Sequence, residues 1–114
     1  MDLDSLTLGD LKKLRCLIGD AAGTNKRLPM PVGKTVFIRT VTHHLCGDVL
    51  EFSDEEVALG NCAWIADDGR FHEAMATGKF NEVEPFPDGS RVVVNRGSVI
   101  DWTECKFASP RSAK

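Results

Sequence analysis

The chain has 114 residues, 42% of them hydrophobic, and 14 Lys and Arg against 17 Asp and Glu give a formal net charge of −3. That length supports one domain with one modest core, and the acidic balance excludes a broad electrostatic footprint for duplex nucleic acid while leaving room for a local convergence of arginines. No apolar run approaches the roughly 18 residues of a membrane-spanning helix, and the acidic opening MDLDSLTLGD lacks the basic and apolar regions of a secretory signal, so no membrane association and a cytoplasmic location are expected.

Residues 7–18 carry Leu8, Leu11, Leu14, Leu17 and Ile18 at the spacing of an amphipathic helix. Ser5 or Thr7 can cap it and Gly19 can stop it. A helix this short does not persist alone, so its apolar stripe is expected to dock on the body or on a neighbouring subunit. Residues 19–33 are rich in Gly and Pro and read as a linker, so 1–32 form a helix-plus-linker unit and the body spans 33–107.

The body opens on KTVFIRTVT, a β-branched alternating strand over 34–42. A second strand runs through LCGDVLEFS, where Gly47 predicts a bend or bulge. EEVALGNCAWIA is a third strand, interruptible at Gly60. A helical insertion over about 66–90 follows, with RFHEAMAT as the helix, Gly78 as its stop and NEVEPFPDGS as an irregular stretch. RVVVN and SVIDWTE are the last two strands, joined by a turn at Asn95-Arg96-Gly97. Residues 108–114 read as a polar, flexible tail. The expectation is therefore mainly β: a small five-stranded antiparallel barrel with an N-terminal helix and a helical insertion between strands three and four.

Leu45, Gly47, Val49, Phe52 and Asp54, together with VVVNRGSVIDW over 92–102, resemble the two motifs of the Sm-like (Lsm, Hfq-type) small barrel. Over nearly the whole chain, GKTVFIRTVTHHL, NCAWIADDGRF, NEVEPFPDG and VVVNRGSVID resemble a family of small phage and prophage proteins of unknown function. The Sm resemblance implies a homo-oligomeric ring in which the last two strands of adjacent subunits pair. It also implies RNA binding at Ser53–Glu55 and Asn95–Gly97. The first of these turns is acidic and has no aromatic or histidine stacker, which points toward a smaller ligand.

Several residues invite a site. Asp67-Asp68-Gly69-Arg70 is either a helix cap, with the second aspartate pairing Arg70, or a pocket in which Arg70 meets a phosphate and an aspartate meets a ribose or base edge. Trp64 and Trp102 read as core, interface or base-stacking platforms. Asn95 and Arg96 form a turn that can present the arginine to an anion. Arg39 is a solvated residue or a partner for Glu51 on the next strand, and His43 and His44 close that strand. Cys16, Cys46, Cys62 and Cys105 are widely spaced and read as buried thiols. No nucleophile elbow, metalloprotease or P-loop pattern occurs, so neither catalysis nor a cofactor or metal is expected. The function expected is capture of a small nucleotide-like ligand, as a sponge against host nucleotide signalling. An RNA-binding ring, a protein-binding adaptor and a metal-dependent hydrolase using Asp67 and Asp68 are the alternatives.

Overall fold

A computed structural model of the chain describes residues 27–114, so the helix expected over 7–18 and Cys16 lie outside the described residues. The strands are β1 (Thr35–Thr40), β2 (His44–Phe52), β3 (Glu56–Asp67), β4 (Glu82–Pro85), β5 (Val92–Asn95) and β6 (Val99–Glu104). Helix α1 (Phe71–Thr77) separates β3 from β4, and a 3-10 turn (Arg96–Ser98) separates β5 from β6. All pairings are antiparallel, in the order β4-β3-β2-β1-β6, with β5 on the first half of β3.

Among the described residues this is an open sheet of six strands, in place of the expected closed or partly closed barrel of five. The 3-10 turn sends β5 and β6 to different partners, β3 and β1, and no pairing between them closes the sheet. The additional strand, β4, comes from the insertion. Its alternation is only one residue deep, with Val83 buried and Pro85 at its end, which an edge strand tolerates because its free N–H side faces away from the ladder.

β3 serves two neighbours along one edge because it bends. The register shifts between Cys46 and Asp48, and Gly47 sits in the gap. A Cβ there would meet the Cys62 Cα and the Gly60 carbonyl at 3.2 Å, so the bend needs a glycine. Across from it, Asn61 adopts a left-handed φ of 47°. Asp48 pins the corner, accepting from Thr35 Oγ at 2.6 Å and from Asn61 Nδ2 at 2.9 Å.

Alternation then makes two cores. One face collects Met30, Val36, Ile38, Leu45, Val49, Val57, Leu59, Cys62 and Val94 beneath the curl of the sheet. The other collects Phe37, Cys46, Ala63, Ile65, Phe80 and Val83, covered by Ala74 of α1 and by Phe107. Gly78, left-handed at φ 77°, ends α1 as its spacing predicts, and Phe107 packs where a Cβ would sit.

Packing extends to both sides of residues 33–107. Met30 is buried and the Gly33 amide donates to Val49 O at 2.8 Å, so packing begins before residue 33. The C-terminal segment lies against the sheet as a strap. Ser109 Oγ donates to Asn61 O at 2.6 Å, Arg111 donates to Phe86 O at 2.7 Å and to Cys62 O at 3.1 Å, and the Lys114 amide reaches Val83 O at 3.0 Å. Among the described residues no helix is long and apolar enough to cross a membrane.

Candidate ligand-binding site

The 3-10 turn is built by Asn95, whose side chain accepts from the Gly97 amide at 2.8 Å. That closure turns Arg96 inward, where it is 5% exposed. Its guanidinium donates to Ser53 O at 2.7 Å and to Leu28 O at 2.6 Å and lies 5.8 Å from the Phe52 ring centroid. Arg96 thus ties three segments together: the β2–β3 turn, the entry segment and the turn before β6.

Beside it opens a hollow of about 530 Å³, lined by Arg27, Leu28, Arg96, Ile100 and Trp102, with Val99 and Asp101 at its wall. It runs along the outer edge of β6, which pairs with no strand among the described residues. Burial, and then the charge of Arg27, lower the proton affinity of Arg96. Two like charges therefore face one hollow, and an anion seated between them relieves the repulsion.

The other residues singled out from sequence fall elsewhere. Arg39 is paired with Asp101 of β6, not with Glu51: its Nε donates to Asp101 Oδ1 at 2.8 Å and a second guanidinium nitrogen meets Oδ2. The guanidinium also sits 5.1 Å from the Phe71 ring centroid. This hydrogen bond holds Arg39 above its ordinary value and Asp101 below the usual carboxylate range. Glu51 instead meets Arg91 at 2.9 Å.

Neither aspartate of the β3–α1 junction caps the helix. Asp67 Oδ1 accepts from the Gly69 amide at 2.8 Å, closing a local turn, and the N-cap is Arg70 with no side-chain bond. Asp68 turns away from Arg70 to His44, whose Nδ1 lies 3.0 Å from both carboxylate oxygens. Arg70 is exposed and forms no ion pair among the described residues. The structure thus does not gather Asp67, Asp68 and Arg70 into one pocket. Trp64, 44% exposed, and His43 line a separate groove on the far part of the sheet. Among the described residues no group of three or more His, Cys, Asp or Glu side chains is placed to hold a metal ion.

One lining residue has no signal in the sequence: Arg27 sits in the stretch read as linker, and its proximity to Arg96 depends on a contact across 68 residues, Leu28 to Arg96. Trp102, one of the two candidate stacking residues, does line the hollow. The chain matches no protein-family model, no curated protein and no solved structure.

Proposed function

We propose that this chain is a non-enzymatic binding protein that captures a small nucleotide-like ligand in the hollow between Arg27, Arg96 and Trp102. One observation carries the reading: two guanidiniums and an indole converge on a single hollow of about 530 Å³, within the size range of small-ligand sites. Guanidinium groups match phosphate oxygens in pairs, and an aromatic face accepts a base. Arg96 spends two donors on carbonyls and Arg27 one on Asp54 O, so Arg27 keeps more donors for a phosphate and Arg96 supplies mainly charge.

The same reading takes the working form as a homo-oligomeric ring, as the Sm-like resemblance implies, with β5 of one copy pairing β6 of the next. In its support, the outer edges of both strands are unpaired among the described residues, and Val93 and Ile100 on them are 50% and 64% exposed. In a phage setting, which the family resemblance implies, capture would sequester a host signalling nucleotide.

Native mass spectrometry of the full chain purified from bacterial cells, followed by denaturing release, tests this. The expected result is an oligomer carrying a phosphate-containing ligand of a few hundred daltons at each site, lost in Arg27→Glu. A bare monomer that also takes up no mono- or dinucleotide on titration would sink the reading.

A further inference from the structure

The chain contains two Asp-Gly pairs, Asp68-Gly69 and Asp88-Gly89. Such a pair can rearrange without an enzyme. The glycine amide nitrogen attacks the aspartate Cγ, a water molecule leaves, and a five-membered succinimide closes. Water then breaks the bond between that nitrogen and the main-chain carbonyl carbon. The product is isoaspartate: the main chain runs through Cβ and Cγ, one carbon longer, and the free carboxyl sits on Cα. No oxidant or cofactor enters, and the mass is unchanged. Glycine favours the attack because no side chain shields its amide and its backbone turns freely.

The fold treats the two pairs differently. At Asp68 both carboxylate oxygens lie 3.0 Å from His44 Nδ1, and the side chain is 18% exposed. The Gly69 amide is occupied as well, donating to Asp67 Oδ1 at 2.8 Å. Electrophile and nucleophile are both held, so closing the ring there breaks contacts at each end. At Asp88 the side chain is 94% exposed. Gly89, left-handed at φ 84°, has open space where a Cβ would sit, and its amide donates to no group among the described residues. We propose that Asp88-Gly89 is a site of spontaneous isoaspartate formation, that the fold protects Asp68-Gly69, and that the change at Asp88 loosens the C-terminal strap. Arg111 makes the link. It donates to Phe86 O and to Asp88 Oδ1, both at 2.7 Å, and both acceptors flank the turn closed by the Ser90 amide on Pro87 O at 3.0 Å. An extra main-chain carbon reshapes that turn and moves the carboxyl away from its present place.

The test ages the full chain for weeks in warm, near-neutral buffer, beside a sample kept unfolded in guanidinium chloride. Both are then digested. Isoaspartate is read in each peptide by transfer of labelled methyl from S-adenosylmethionine, using an isoaspartate-specific carboxyl methyltransferase. In the folded chain, label is expected at residue 88 and not at 68; in the unfolded chain, at both. Asp88→Ser cannot form the ring and should lose the label at 88, and because that side chain is exposed the fold is kept. Brief trypsin treatment of the folded samples reads the strap. Cleavage of the Arg111–Ser112 bond should be severalfold faster in aged than in fresh protein, with no such change on ageing in Asp88→Ser. Equal label at 68 and 88 in the folded chain, or none at 88, would overturn the proposed site. Cleavage that does not change with age would overturn the loosening of the strap.

Discussion

The two faces of the sheet are covered in different ways. On the face of Phe37 and Phe80, the cover is extra chain: α1 and the strap from Ser109 to Lys114 lie directly on the strands. Phe37 and Phe80 stack at 5.8 Å, and Phe107 meets Phe80 edge-on at 5.9 Å. On the face of Val36 and Leu59, the cover is the sheet's own curvature. A curled sheet cannot fit its own surface everywhere, and hollows remain where Trp102 and Trp64 stand. Chain laid across a sheet seals it. Curvature encloses a core but leaves openings at its margins, and here one of those openings holds the candidate binding site.

Mutation probes the two faces in turn. Phe37→Ala removes the centre of the sealed face and should cost about 3–5 kcal/mol in urea unfolding. Ile38→Ala, on the other face, removes a smaller but fully buried side chain and should cost about 2–5 kcal/mol. Next in size is Arg96→Met, which strands the carbonyls of Leu28 and Ser53 and should cost about 1–3 kcal/mol, measured the same way.

Thiol labelling sharpens the comparison chemically. Burial pushes the Cys62 thiol up to about 12. Its neighbour Cys105, and then burial, raise the Cys46 thiol, while the nearby Cys46 lowers Cys105, which is only half-buried at the rim of the strap-covered face. With an alkylating agent at pH 8 and peptide mass analysis, Cys105 should react first, and Cys46 and Cys62 only on unfolding. The smallest effect belongs to Asp101. Its carboxyl titrates below the ordinary value near 4 because of Arg39, so the stabilisation is complete above that pH and disappears as pH falls through the lowered value. Asp101→Asn should therefore lower the melting temperature slightly at pH 7, and the difference should shrink as the pH is taken below about 4.

Much of the fold is legible in the sequence because it is local. The alternation in TVFIRT, the glycine at the Gly47 bend and the Gly78 stop each follow from a few adjacent residues. Strand β4 was missed because four residues ending in proline carry too little pattern. The site was less legible. Asn95 and Arg96 drew notice through turn chemistry, but which way Arg96 points depends on carbonyls 43 and 68 residues away. Pairing Arg39 with Glu51 respected the nearest strand, whereas the actual partner lies 62 residues downstream on a strand whose neighbour local pattern does not specify. At the β3–α1 junction, the cap and the Arg70 pairing expected of the two aspartates lost to a tight local turn at Asp67 and to a histidine on another strand at Asp68.

The pairing of β1 with β6 has a consequence in time. The first strand of the sheet is completed only by the last, Val36 against Glu104, after everything between them has been synthesised. Until then β1 has β2 on one side and a bare row of amides and carbonyls on the other, above a half-formed apolar face. Contacts of such long sequence separation close slowly. A nascent chain of this protein thus passes through an interval in which an exposed strand edge is open to any complementary strand, and its yield in cells will depend on how quickly β6 arrives.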